Sequence, residues 1–155
     1  MIAFELMTAE LPDLRSQAWA EKIQLGLMQF NQSKQSFDFA PLRIFASEKG
    51  ALLGGLIATT GWSWLNIDLL FVEQHARRRG IAKALLEMAE QKARILGCIG
   101  AYVDTFDFQA PEFYQTQGFS CLGILEDMPP GHRRYYLKKR FVKSTQAQQE
   151  PVNAT

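Results

Sequence analysis

The sequence predicts an α/β fold built on a mixed β-sheet, and two observations carry that prediction. Residues 62–72 contain a nearly continuous apolar run, which is typical of a central strand buried on both faces. A strongly amphipathic helical pattern follows and ends at Gly97, and a second strand pattern covers residues 98–106. This strand–helix–strand unit predicts a right-handed parallel crossover, and strand pairs on either side of it add further strands to one sheet.

The elements before this unit follow from residue spacing and turn residues. A short strand is predicted over residues 2–8, and apolar residues at helical spacing predict a helix that begins at Pro12. The polar segment 31–36 predicts a loop. A hairpin is predicted over residues 42–47 and 51–60. Within its second strand, the pair Gly54-Gly55 indicates a bulge or a close approach of two backbones.

The helix after Gly80 is predicted to bury one face and expose the other. Its apolar face comprises Ile81, Leu85, Met88, Ala89 and Leu96. Its polar face comprises Lys83, Glu87, Glu90 and Arg94. The polar residues form two pairs of opposite charge at i,i+4 spacing, which support the helix from its solvent side.

Beyond residue 106, the chain predicts a short helix and two final strands. The helix covers residues 110–118, with Pro111 in its first turn and Gly118 at its end. The strands cover residues 119–125 and 133–141. Basic residues 138–140 are interpreted as charges that protect an edge strand. The polar tail 142–155 is predicted to be disordered, which leaves one domain over residues 1–141.

Composition argues for a soluble cytoplasmic domain. The 155 residues carry a formal net charge of +1, which gives no general affinity for nucleic acid or for anionic membranes. No apolar run approaches the ~20 residues of a membrane span, and the N-terminus lacks the pattern of a signal peptide. Cys98 and Cys121 show no metal-binding spacing and are interpreted as reduced core residues, so no metal site is predicted.

Three arginines and a glycine, at positions 77–80, join the buried strand to the amphipathic helix. The start of a helix offers unpaired N–H groups and a partial positive charge, so this turn predicts a site for a phosphate or pyrophosphate. The alternative is a solvated charged face. The sequence contains neither GxxxxGK[ST] nor a GxGxxG after the first strand, so it predicts neither a P-loop nor a dinucleotide fold.

The spacing Arg77-x-x-Gly80-x-Ala82 after a buried strand resembles the [QR]-x-x-G-x-[GA] acyl-CoA signature of the GNAT N-acetyltransferase superfamily. Two later segments, "DTFDFQAPEFYQTQGF" and "EDMPPGHRRYYLKKRF", resemble that family's fourth helix and closing hairpin. The resemblance covers roughly residues 2–141. It implies a GNAT-like, mostly antiparallel sheet flanked by helices, with a splayed parallel strand pair at the acyl-CoA site. The implied activity is transfer of an acetyl group from acetyl-CoA to a primary amine, by direct attack in a ternary complex.

The resemblance also implies which residues bind acetyl-CoA. The pantetheine arm would lie along Phe71, Val72 and Glu73, in the manner of an added strand. The diphosphate would meet the turn and the first turn of the helix, namely Arg77, Arg78, Arg79, Gly80, Ile81, Ala82 and Lys83. Asp107 occupies a position where many members carry an asparagine that contacts pantetheine. Gln109 is a nearby amide that could substitute for it.

For catalysis, the resemblance implies that Tyr114 protonates the departing thiolate, a group whose pKa is about 8.5 in free cysteine. The alternative is a tyrosine that only packs in the core. Asp68 is the candidate base, because an acid within an apolar strand indicates either a functional group or a partner for an arginine. By alternation it shares a face with Trp64 and Asn66, which predicts an acceptor cleft there. Weaker candidates for the base are Glu73, His75 and His132.

The acceptor is predicted to be a small-molecule or peptide amine, with neither nucleic acid nor membrane as a partner. The alternative function is a non-catalytic acyl-CoA-binding or sensing module on the same fold. Dimers are common in the family, so a homodimer stays open.

Overall fold

A computed structural model of the chain describes residue 6 and residues 14–36 and 38–142. The chain divides into two units, residues 1–37 and 38–155. In the first, the described residues form helix α1 (Leu14–Lys34), so the predicted helix is confirmed. The loop predicted at 31–36 is wrong for its first four residues, because polar side chains continue that helix to Lys34. The strand at 2–8 and most of the tail lie outside the described residues, and the single domain over 1–141 stays a prediction.

The second unit is built on a six-stranded sheet of order β1-β2-β3-β4-β6-β5. Its strands are β1 (Ala40–Glu48), β2 (Ala51–Gly61), β3 (Trp64–Val72), β4 (Gly100–Phe106), β5 (Ser120–Glu126) and β6 (Arg133–Arg140). Only the pair β3–β4 is parallel, and the other four pairs are antiparallel. The predicted mixed and mostly antiparallel α/β sheet is therefore confirmed.

Helices connect the strands around that parallel pair. Helix α2 (Ile81–Ile95) links β3 to β4, and the short helix α3 (Pro111–Thr116) follows β4. Two 3-10 turns, Gln74–Ala76 and Asp107–Gln109, precede these helices. None of the described helices is long and apolar enough to span a membrane.

The buried face of α2 differs from the predicted one. Its buried residues are Leu85, Leu86, Ala89, Glu90 and Ala93, which form one stripe at helical spacing. Met88 and Leu96 were predicted on that face, but both residues are more than half exposed: Met88 lies to the side of the stripe, and Leu96 is the C-cap residue beyond the last helical residue. Glu90 was predicted on the solvent face and is instead only 4% exposed. Its burial is explained by Lys139 of β6, whose Nζ lies 2.7 Å from Oε1 and 2.8 Å from Oε2.

Two interpretations of the C-terminal half are wrong for the same reason, namely strand order. The basic strand β6 is not an edge strand, because β6 lies between β4 and β5, and the edges are β1 and β5. Cys98 is buried as predicted, but Cys121 lies on the edge strand β5 and is exposed.

The Gly54-Gly55 pair shows both features that it predicts. A Cβ on Gly54 would lie 2.6 Å from the carbonyl oxygen of Phe71, so β2 and β3 approach closely there. The pairing with β1 shifts at Ala46 and Ser47, which leaves Leu53 as the extra residue of a bulge. The Leu53 carbonyl then accepts a hydrogen bond of 2.9 Å from the Glu73 N–H, just beyond β3.

Candidate active site

The parallel strands β3 and β4 separate halfway along their length. Their pairing runs from Trp64↔Gly100 to Ile67↔Val103 and stops there. At the next residue, Asp68, strand β3 also bulges relative to β2, since Ile57 pairs with Leu69 and Ala58 with Ile67. Bulges bend a strand and increase its twist, so the bulge directs the second half of β3 away from β4. This is the splayed parallel pair that the resemblance to the GNAT family implies.

A cavity of ≈ 750 Å³ opens where the strands diverge. One wall is the second half of β3, and the opposite wall is the end of β4 with residues 108–110, Phe113 and Tyr114. The turn at 76–78 and the first residues of α2 close the cavity at the far end of β3. A cleft between unpaired backbone edges can accept an extended chain.

The start of α2 faces this cavity because the chain turns sharply before it. Arg78 and Gly80 both have positive φ, 61° and 77°, and Gly80 is the N-cap residue. A glycine N-cap has no side chain that could accept from the first N–H groups of the helix, and nothing lies within 4 Å of the place where its Cβ would be. The N–H groups of the first turn are therefore free to bind an anion in the cavity.

The three arginines of the turn have three different environments. Arg77 donates from Nε to the Val72 carbonyl at 3.2 Å, which ties the turn to the end of β3. Arg79 places Nη2 2.8 Å from Oε1 of Glu48, and this contact lowers the pKa of Glu48. Arg78 lines the cavity, and among the described residues none forms an ion pair with it. Arg78 is consequently the arginine most available to a ligand, whereas Lys83, which also lines the cavity, lies 3.8 Å from Oε1 of Glu87.

Tyr114 stands in the wall of the cavity and is only 6% exposed. Proline at the first position of α3 starts the helix, and Tyr114 packs edge-on against the rings of Phe113 and Phe119. Burial, and then the negative charge of Asp104, raise the pKa of Tyr114 to about 12. The phenol therefore stays protonated at neutral pH and can donate a hydrogen bond into the cavity.

Because the pKa of Tyr114 is raised, the stability of the fold should fall as the pH rises through the alkaline range. The folded pKa of about 12 exceeds the ordinary tyrosine pKa of 10.0, so the neutral phenol contributes stability that is complete below pH 10 and is lost between pH 10 and 12. This difference in pKa corresponds to roughly 3 kcal/mol of stability. Urea unfolding between pH 9 and 11.5 should show a steeper loss of stability for the wild type than for Tyr114→Phe. Parallel curves would contradict the buried phenol.

Asp68, the bulge residue, is exposed and lines the same cavity. Its Oδ1 accepts from Asn66 Nδ2 at 2.6 Å, and its Oδ2 accepts from Thr59 Oγ1 at 3.0 Å. The contact with Asn66 agrees with the predicted shared face. Burial, and then the charge of Asp68, raise the pKa of the neighbouring Tyr102.

The chain also matches known proteins. The family model of the acetyltransferase (GNAT) family matches residues 4–119. The chain belongs to the GNAT acetyltransferase family. It is 43% identical over 106 residues to blasticidin-S acetyltransferase of Streptomyces morookaense, a match that covers 65% of this chain and 78% of that protein. The family match and this relative identify the chain as an acyltransferase, and they favour an enzyme over a non-catalytic acyl-CoA sensor.

Solved structures agree with this membership. The crystal structure of an acetyltransferase from Bacillus cereus superposes with a TM-score of 0.77 at 29% identity, and covers 87% of this chain and 98% of that one. A protein assigned as a streptothricin acetyltransferase from Bacillus anthracis, solved with acetyl coenzyme A, has a TM-score of 0.60 at 21% identity. That match covers 65% of this chain and 62% of the other, and it shows the shared fold.

Most of the residues that the GNAT signature singles out come together at the cavity. Those that line it are Asp68, Phe71, Val72, Arg77, Arg78, Gly80, Ile81, Ala82, Lys83, Gln109 and Tyr114. Glu73 and Arg79 are not among the lining residues. Neither is Asp107, whose carboxylate instead contacts His132 Nδ1 at 3.1 Å and accepts from the Arg133 N–H at 3.2 Å. The roles of these residues stay predictions.

The wall of the cavity that is formed by β4 and the residues after it was not predicted from the sequence. Asp104, Thr105, Phe108 and Phe113 line the cavity and were not predicted there. A usable signal was present, because ligands of open α/β sheets bind beyond the carboxyl ends of parallel strands. Residues 103–105 lie at that end of β4, next to the predicted crossover.

Proposed function

We propose that the protein is an N-acetyltransferase that moves the acetyl group of acetyl-CoA to a primary amine while both substrates are bound. The observation that carries the proposal is the cavity between β3 and β4, which has the free helix start at one end and a buried phenol in its wall. Membership of the GNAT family supports acetyl-CoA as the donor. Acetyl-CoA would supply the thioester whose carbonyl carbon the amine attacks.

The residues present fit such a donor. The unpaired edge of β3, from Asp68 to Val72, spans about 13 Å and offers backbone groups to an extended amide chain, as in strand addition. The N–H groups at the start of α2, with Arg78 and Lys83, would bind the phosphates. Arg77 holds the turn against β3, and it thereby fixes the start of α2 relative to the unpaired edge of β3.

Tyr114 would act on the leaving group. Its phenol, with a pKa of about 12, is a weaker acid than a free thiol with a pKa of about 8.5. Its main effect would therefore be a hydrogen bond to sulfur as negative charge develops there, which is stronger in the transition state than before reaction. As the carbon–sulfur bond breaks, the sulfur takes the phenol proton or one from water, and the tyrosine keeps or regains its own. Asp68 would accept the proton that the amine loses.

The decisive experiment is an acetylation assay that follows release of the CoA thiol over a panel of amines. The panel should include blasticidin S, because a relative is named for it, together with aminoglycosides, polyamines, amino acids and peptides. We expect thiol release and a mass increase of one acetyl group with at least one amine. Saturable acetyl-CoA binding without release for any amine would refute the proposed activity.

Arg78 and Arg79 provide a matched pair for the phosphate end. We expect Arg78→Ala to raise the KM for acetyl-CoA about tenfold, since a charge-assisted contact contributes about 1.5 kcal/mol or more. Arg79→Ala should change it by less than about threefold, because Arg79 already pairs with Glu48 at an exposed site. Initial rates at varied acetyl-CoA test this difference, and equal effects of the two substitutions would contradict it.

A further inference from the structure

Two carboxylates line the cavity, and their surroundings differ in charge. Asp104 on β4 forms an ion pair with Arg134 of the neighbouring strand β6, with Nε 2.6 Å from Oδ2. Asp68 accepts hydrogen bonds from two uncharged groups, and within the part of the chain that the structure describes no cationic side chain forms an ion pair with it. Of these two acids, Asp68 thus keeps its negative charge available to an incoming cation.

The two donors hold the Asp68 carboxylate in one orientation. Thr59 on β2 and Asn66 on β3 are register partners, so their side chains stand next to each other on one face of the sheet. The bulge places Asp68 on the same side, where each of its oxygens accepts one of these hydrogen bonds. A carboxylate has about four acceptor positions, so both oxygens can still bind a ligand.

The charges of the cavity are arranged along β3. The cationic side chains that line it, Arg77, Arg78 and Lys83, stand beyond Val72. Asp68 lies four residues earlier on the strand, about 13 Å away. An anionic donor and a cationic acceptor would therefore enter at opposite ends and meet between them.

We infer that Thr59 and Asn66 are positioning residues that fix the Asp68 carboxylate as the binding site for the ammonium group of the acceptor. The acceptor is accordingly an amine that arrives protonated. This inference rests on the proposed function, and it adds the residues and the charge that select the acceptor. A carboxylate fixed by two hydrogen bonds loses less side-chain entropy when it binds an ammonium than a free one would.

Thr59→Val tests the positioning role, because it keeps the shape of the side chain and removes the hydroxyl. We expect the KM for the amine to rise about tenfold, as for loss of one hydrogen bond to a charged group, while the KM for acetyl-CoA stays unchanged. Thr59→Ser, which restores the hydroxyl, should return the KM to within about twofold of the wild type. Thr60→Val is the matched control, since the hydroxyl of Thr60 donates to the Ala40 carbonyl and not to Asp68.

A double-mutant cycle separates positioning from a general effect on the fold. Asp68→Asn should itself raise the KM for the amine at least as much as Thr59→Val. In the Asp68→Asn background, Thr59→Val should then change little further. Independent, multiplicative effects, or a Thr59→Val variant as active as the wild type, would overturn the inference and leave the proposed function standing. A wild-type protein that releases no thiol with any amine would refute both.

Discussion

Replacing Tyr114 with phenylalanine is expected to lower kcat by about 10²–10³-fold, with little change in the KM for acetyl-CoA. The phenol is buried in the cavity wall, and burial raises its pKa to about 12, so it is protonated under all ordinary assay conditions. Phenylalanine keeps the edge-on ring contacts with Phe113 and Phe119 and removes only the hydroxyl. The loss should therefore fall on the step in which sulfur gains negative charge.

Steady-state rates with saturating amine and varied acetyl-CoA measure this effect. Tyr135→Phe is the control, because Tyr135 is a half-buried tyrosine of β6 that packs against the core and does not line the cavity. It should keep kcat within about twofold of the wild type. A Tyr114→Phe variant with wild-type kcat would exclude any role of the phenol in the reaction.

Lys139→Met is expected to destabilise the fold by about 3 kcal/mol, because it leaves the buried carboxylate of Glu90 without its nearest cation. Arg94 lies 3.4 Å from the same carboxylate but is more exposed, so it compensates only in part. At about 2–4 °C per kcal/mol, the Tm should fall by about 6–12 °C. Lys138→Met is the control, since Lys138 is its neighbour on β6 and points to the opposite face.

The double variant Glu90→Met and Lys139→Met distinguishes this cause from lost packing. Removal of both charges should recover most of the lost stability, because methionine fills a similar volume without an unpaired charge. Thermal unfolding of the wild type, the two single lysine variants and the double variant is sufficient to compare them. A double variant that is less stable than Lys139→Met would show that the pair does not act through charge.

The sequence predicts the parts of the fold that depend on local pattern. Helix α2 follows from its apolar spacing and from Gly80 and Gly97, and the parallel crossover follows from the strands that flank it. The errors concern partners that are distant along the chain. Glu90 was assigned to solvent by its charge, and its partner lies 49 residues later. The position of β6 inside the sheet likewise depends on pairing that no local pattern encodes.

The candidate site divides in the same way. The second half of β3 and the turn that follows it form one continuous segment of the chain. A sequence motif can therefore identify most of the residues on that side of the cavity. Thr59 and Asp104 come from β2 and β4, and only the folded sheet brings them near Asp68 and the cavity. The bulge at Asp68 is also invisible in the sequence, because residues 69–72 are all apolar and an alternation shifted by one residue cannot be recognised in them.

Asp68, the extra residue of the bulge in β3, links two properties of the enzyme that would otherwise be independent. It places an acid in the lining of the cavity, and it lies where the second half of β3 separates from β4. Substitutions at position 68 alter the charge but leave the extra residue in place, whereas deletion of the residue would restore a regular ladder with β2 in which Leu69 still pairs with Ile57. Selection can therefore retune the choice of acceptor by point changes at position 68, while the extra residue that separates β3 from β4 is kept.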